Sequence, residues 1–270
     1  MTHTPEGGTG SRSRRKAATW YLPGDRSAPV FTARDQINSA HRKCQLTLPE
    51  TAIVFFMSRG TDYLCAHYDA KELPEPFPRF LNRCPIWELG EYGVCFLDGG
   101  RGAPQAADTV ETLAALGVKN ILAVGMFGAF DPRLTMGEVI APDKAFVEEG
   151  TSLHYYESIH SSAPDDRLHR LALSRLQVKA CPIVSVDAVY RQTFGKERLW
   201  REKGAVGVDM ETSAVFSVSR YLGLRALSLL MVSDMHPLNP DGPKWEWQMT
   251  GDMREALAEK CVTLVRQLPE

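Results

Sequence analysis

The sequence predicts an α/β fold, a single-domain three-layer sandwich around a central, mostly parallel (mixed) β-sheet. Three observations carry that expectation. Residues 52–57 (AIVFFM) and 224–232 (LRALSLLMV) are short, nearly continuous apolar runs, the pattern of strands buried on both faces. Segments with apolar residues at helical spacing alternate with such runs. Short glycine-containing turns join them, and neither a repeat nor a linker interrupts residues 19–270.

The elements follow in order. Residues 1–18 are mostly Gly, Ser, Thr and Arg, so this tail buries too little to offset its ordering entropy and is expected to stay disordered. Its Arg12, Arg14, Arg15 and Lys16 read as a solvated charge run. The domain proper is 19–270. After the strand at 52–57, residues 71–91 are rich in Pro, Glu and aromatics and read as a long surface excursion. Residues 93–97 form the next strand and run into Gly99-Gly100-Arg101-Gly102. Ala107, Val110, Leu113 and Leu116 then recur at helical spacing until Gly117 ends the helix. A strand at 120–124 ends in a glycine turn at 125–128, and a short strand follows at 139–141. Helices are expected around 167–176 and, polar in character, at 197–203. A strand at 205–210, a helix at 212–222 stopped by Gly223, and the strand at 224–232 complete the sheet. Met253, Leu257, Cys261, Leu264 and Leu268 mark a C-terminal helix starting near Asp252.

Composition narrows the function classes. The 31 Lys+Arg against 33 Asp+Glu leave a net charge of −2. A nucleic-acid polymer calls for a clustered basic excess to neutralise its phosphates, so no such partner is expected. No run approaches the roughly 20 apolar residues that span a bilayer, so no membrane partner is expected either. A hydrophobic share of 44% with 24% charged residues suits a folded chain with a sizeable core. The six cysteines, Cys44, Cys65, Cys84, Cys95, Cys181 and Cys261, stand in no close pair. The first residues hold no apolar signal core, so free, mostly buried thiols in a reducing cytoplasm are expected, with no disulfide and no zinc site.

Ligands of open α/β sheets sit beyond the carboxyl ends of the strands. Four places qualify: Gly24-Asp25-Arg26, residues 99–104, residues 125–128, and Met210-Glu211 with Ser233-Asp234. The glycine turn around Arg101 points backbone N–H groups at a helix start, a geometry suited to an anion or sugar, and equally to a plain tight turn. Glu211 and Asp234 both follow apolar strands, where a carboxylate faces a partly desolvated cleft and its pKa is open to tuning. Taken singly, Glu211 reads as a first-turn helix acid and Asp234 as a cap or turn residue. Two such positions at one sheet edge make a functional site competitive with those readings.

Residues 208–214 (VDMETSA), followed by Val232-Ser233-Asp234, resemble the signature of the nucleoside phosphorylase superfamily, which includes purine nucleoside and uridine phosphorylases and related nucleosidases. Further segments match in order: Leu22-Pro23-Gly24-Asp25 the phosphate loop, Gly100-Arg101-Gly102-Ala103-Pro104 the Gly-x-Gly-x-Pro turn, and residues 111–117 its following helix. Residues 124–128, 149–155 and 185–190 also have counterparts, so the resemblance covers roughly 20–236. It implies cleavage of a nucleoside N-glycosidic bond, usually by phosphate. Carried over, Glu211 binds the ribose hydroxyls, Met210 packs on the sugar, and Asp234 donates a proton to the leaving base, at purine N7. Val189 or Tyr190 stacks on the base, and Asp209 and Gly125 join the substrate-binding set. Gly24 contacts phosphate.

This chain departs from the family at the anion site. Ala123 stands where the phosphorylases usually carry Arg, Met126 where they carry Thr or Ser, and Arg26 and Ala28 where they commonly have Pro and Arg. A desolvated dianion needs charge-assisted donors. Either Arg26, Arg59 and Arg101 substitute, or water attacks and the chain is a nucleosidase; a further alternative has Arg101 meet the 5′-phosphate of a nucleotide substrate. A non-catalytic nucleoside-binding member is the third reading. The resemblance implies no metal and no organic cofactor, with phosphate as co-substrate, and a cytoplasmic, dimer-based homo-oligomer up to a hexamer. Asp187 reads as structural, His154 and Tyr155 as a packed pair, His236 as a loop residue or base neighbour, and Trp245 and Trp247 as a lid or packing residues.

Overall fold

A computed structural model describes residues 25, 27–40 and 44–268. The tail at 1–18, Gly24 and Arg26 lie outside that set. The strands are β1 (Thr51–Phe55), β2 (Ala70–Glu72), β3 (Ile86–Leu89), β4 (Val94–Asp98), β5 (Asn120–Ala129), β6 (Val139–Ala141), β7 (Ala145–Glu148), β8 (Ser161–Ser162), β9 (Lys179–Ala180), β10 (Ile183–Val186), β11 (Gly207–Asp209) and β12 (Arg225–Met235). The helices are α1 (Ala33–Ile37), α2 (Asp62–His67), α3 (Ala103–Ala115), α4 (Asp166–Arg175), α5 (Phe194–Glu202), α6 (Thr212–Tyr221) and α7 (Gly251–Val265).

All the strands join one mixed sheet. The pairs β1–β4, β1–β5, β5–β12, β6–β9, β7–β10 and β10–β11 are parallel. The pairs β2–β3, β3–β4, β5–β11, β6–β12 and β7–β8 are antiparallel. Alternation along β1 divides it between two apolar cores. Ala52 and Val54 join the core that α3 and α6 cover, whereas Ile53 and Phe55 join the one covered by α2, α4 and α7. A smaller cluster of Phe130, Val184, Trp200 and Val208 lies beside α5. This is the expected α/β sandwich. Among the described residues no helix is long and apolar enough to cross a membrane. All six cysteines are free; Cys95 and Cys261 are buried and Cys65 is exposed.

Three elements differ from the sequence expectation. Residues 71–91 are not a surface excursion. They hold β2 and β3, which extend the sheet antiparallel to β4, and they bury Phe77 completely. Proline and charge in this stretch mark an edge of the sheet, where unpaired backbone faces solvent. Its anchor is Arg79, only 1% exposed. The guanidinium donates to the Asn82 carbonyl at 3.1 Å, the Asp98 carbonyl at 3.1 Å and Thr109 Oγ1 at 2.8 Å.

Second, β5 does not end at Val124 in a glycine turn but runs on to Ala129, paired with β12 along its length. The glycines supply space rather than a bend. A Cβ on Gly125 would lie 3.3 Å from Leu230 Cδ2, and one on Gly128 would lie 2.2 Å from His236 Nε2. Third, β12 continues past Val232 to Met235, with a β-bulge between Val232 and Asp234. Asp234 is therefore a strand residue opposite Gly128, not a cap or turn residue.

Arg79→Ala is expected to destabilise the fold by at least ~2 kcal/mol, because three hydrogen bonds from a buried guanidinium are lost and a cavity opens. Denaturant unfolding checks this; a change below about 0.5 kcal/mol would show that the 71–91 segment is not anchored by Arg79.

Candidate active site

The carboxyl ends of β1, β5, β11 and β12 open into a cavity of about 510 Å³. Phe56, Met126 and Phe127 form apolar wall, and Tyr190, Trp245 and Trp247 stand at its rim. Two acidic centres line it.

The first belongs to the β11–α6 connection. Asp209 closes β11, is buried, and accepts the Thr212 N–H at 3.0 Å and the Ser185 hydroxyl. It thereby takes the N-capping work of α6, and Glu211, at the cap position itself, makes no side-chain cap bond. Glu211 instead crosses to the β4–α3 turn and accepts the Gly102 N–H at 2.6 Å. Gly100 and Gly102 have φ of +83° and +82°, a left-handed backbone that turns this N–H toward the glutamate. Burial, with the Asp209 carboxylate beside it, pushes Glu211 up to about 8. Burial raises Asp209 as well, against hydrogen bonds from Ser185 and Thr212.

The second centre lies on β12. Asp234 Oδ1 accepts the Ser233 hydroxyl at 2.6 Å. Its Oδ2 accepts the Trp245 indole N–H at 2.6 Å and lies 3.1 Å from His236 Nε2. The other imidazole nitrogen, Nδ1, is 2.8 Å from Glu197 Oε1. Burial alone would raise Asp234, but the hydrogen bonds from His236, Ser233 and Trp245 outweigh it and hold the carboxyl below its ordinary range. Burial opposes charge on His236, yet the two carboxylates overcome it and raise the imidazole to about 9. The two carboxyl groups on either side of the ring favour its cationic form.

The sequence-predicted residues are distributed as follows. Asp234, Glu211, Met210, Asp209, Val189, Tyr190 and Arg101 all line the cavity. Gly125 does not; it packs under Phe56 and Leu230, while Gly128 reaches the lining. Arg59 is also apart from the lining, paired with Asp62 at 2.8 Å. Gly24 and Arg26 lie outside the described residues. Arg101 is at the cavity but committed: its guanidinium forks onto Asp98, both N···O distances 3.1 Å. Asp187 accepts the Gly150 N–H at 2.7 Å, and Tyr155 packs on Tyr221, so both have structural contacts. Glu197 is the residue that sequence reasoning missed. It sits on a helix that reads as polar, but Glu197 and Trp200, one turn apart, are its buried face. That spacing was the available signal. Among the described residues no cluster of three His, Cys, Asp or Glu side chains is placed to hold a metal ion.

A family model described as the phosphorylase superfamily matches residues 50–268, which includes both acidic centres. The chain belongs to the phosphorylase superfamily. A relative, the guanosine phosphorylase of Halorubrum lacusprofundi, is 33% identical over 138 residues, covering 49% of this chain and 57% of the relative. The chain thus spans little more than half the length of that relative. Among solved structures, the AMP nucleosidase of Bacteroides thetaiotaomicron superposes with a TM-score of 0.64 at 21% identity, over 81% of this chain and 88% of that one. The 5′-methylthioadenosine/S-adenosyl homocysteine nucleosidase of Campylobacter jejuni superposes with a TM-score of 0.66 at 18% identity, over 82% of this chain and all of the other. These two likenesses show the shared fold.

The raised Glu211 sets a pH dependence. Its proton is bound more tightly in the folded than in the unfolded chain, so it stabilises the fold below about pH 4.5, and that contribution is lost as pH rises through about 8. Glu211→Gln is expected to gain stability relative to the parent as pH rises from 5 to 8, measured by denaturant midpoints. An equal difference at both pH values would contradict the burial argument.

Proposed function

We propose that the protein is an enzyme that cleaves the N-glycosidic bond of a purine nucleoside, releasing the free base. The observation that carries this is the placement of two buried carboxyl groups on one cavity, Glu211 on the Gly102 N–H and Asp234 among Ser233, Trp245 and His236. Family membership supports an enzyme of nucleoside chemistry. In this reading Glu211 holds the ribose hydroxyls and fixes the sugar beside the breaking bond as it becomes oxocarbenium-like. Met210 packs on the sugar, and Val189 and Tyr190 lie against the base. Asp234 passes a proton to the departing base, which N7 of a purine accepts. No step calls for a cofactor.

Phosphate as nucleophile, giving ribose 1-phosphate, is the reaction that the guanosine phosphorylase relative supports. A second reading, hydrolysis, is favoured by a specific observation. Arg101, the described arginine at the cavity, is held by Asp98, and Met126 and Phe56 present apolar surface where an anion would need donors. The same reading includes a cytoplasmic homo-oligomer. Tyr190 is 95% exposed at the rim, a position that suits closure by a second copy.

Incubation with a nucleoside panel, with and without phosphate, tests the reading. Ribose 1-phosphate formed only with phosphate is the expected product; free ribose formed without phosphate would establish the hydrolase instead. Asp234→Asn is expected to slow cleavage by roughly 10²–10⁴-fold, the scale of a positioned acid. An effect below about threefold would remove Asp234 from base protonation, and no turnover of any nucleoside or nucleotide would leave a binding protein.

A further inference from the structure

Base protonation at Asp234 poses a question of supply. The carboxyl is held in its ionised form by three donors, so at neutral pH it carries no proton of its own to give. The nearest mobile proton is on His236. Three features of the fold hold that ring in place. Nε2 lies 3.1 Å from Asp234 Oδ2 and Nδ1 lies 2.8 Å from Glu197 Oε1, so the imidazole bridges β12 and α5. Gly128 leaves the space the ring occupies, because any side chain there would start 2.2 Å from Nε2. Trp245 holds the shared Asp234 oxygen from the other side at 2.6 Å.

Glu197 supplies a second, independent observation. It is only 6% exposed, it lines the cavity, and its Oε2 is buried with no hydrogen-bond partner among the described residues. Burying a carboxylate with one oxygen bare is costly unless a cation faces it. The imidazolium is that cation. Glu197 and Asp234 are the charged groups paired with His236 among the described residues, and the Phe130 ring, its centroid 6.4 Å away, is neutral.

We propose that Glu197 and His236 form a proton reservoir for Asp234, so that the proton reaching the leaving base originates on His236 Nε2. The inference rests on the N-glycosidic reading. As the C1′–N bond breaks, its electron pair stays on the base. The base nitrogen takes a proton through the Asp234 carboxyl, and the His236 Nε2–H bond is the one that breaks to supply it. His236 leaves the step neutral, Glu197 and Asp234 remain carboxylates, and solvent returns a proton to the ring before the next turnover. Glu197 and His236 are positioning residues, acting through Asp234.

Two measurements on the full chain test this. NMR titration of the His236 ring needs no turnover; it is expected to place the ring near pH 9 and to move it at least one unit lower in Glu197→Gln. In the same variant the alkaline limb of the kcat/KM profile moves with it, so the ratio of the rate at pH 6.5 to that at pH 8.5 rises by at least about threefold. A wild-type ring titrating at the ordinary value near 6.5 would overturn the reservoir. So would a Glu197→Gln loss that is equal at every pH, the mark of a merely structural role. Absence of nucleoside cleavage in the wild type at every pH would sink the bond-cleavage reading itself, and the reservoir with it.

Discussion

The β5–β12 ladder is the constraint on which the site depends. The two strands run parallel in register from Asn120 and Arg225, and the bulge at Ser233 shifts that register once. The shift sets Asp234 directly opposite Gly128, and the Ser233 hydroxyl, which donates to Asp234 at 2.6 Å, also lies 3.1 Å from the Phe127 carbonyl. An extra residue in one strand re-aims every side chain beyond it. Here it brings Asp234 and His236 to the cavity, where a bare glycine on the partner strand leaves them room. β11 crosses the far end of β5 antiparallel, with Val208 opposite Gly128, and so delivers Glu211 to the same cavity.

The two acidic centres show how one fold separates carboxylate roles by environment. Asp209 spends its charge on capping α6 and on Ser185, which frees Glu211 to reach a single backbone N–H. With few donors and a like charge nearby, Glu211 holds its proton. Asp234, with three donors of which one is the His236 ring, gives its proton up. The positive charge the site needs is therefore local and histidine-borne, consistent with a chain whose net charge is −2. Arg101, the conspicuous arginine of the glycine turn, serves the turn itself through Asp98.

Much of this was legible in the sequence, for identifiable reasons. β1 and most of β12 are covered on both faces, so they read as unbroken apolar runs. The carboxylates stand where such runs end. The 71–91 segment is illegible as sheet because an edge pair carries the prolines and charges of a loop, and because Arg79 is buried against Asp98 and Thr109, which only the folded chain brings to it. Glycines 125 and 128 were read as a bend because local pattern does not distinguish a turn from a strand thinned to admit a neighbour's side chain. Glu197 was hidden for the same reason as Arg79: its partner His236 lies 39 positions away.

A crystal structure of the protein with an uncleavable purine C-nucleoside tests the roles of the two carboxyl groups most directly. The ribose hydroxyls are expected within hydrogen-bond distance of Glu211 and the base N7 position on Asp234, with the His236 ring still bridging Asp234 and Glu197. An analogue bound with neither carboxyl group in contact, or with Glu211 on the base and Asp234 on the sugar, would contradict those roles.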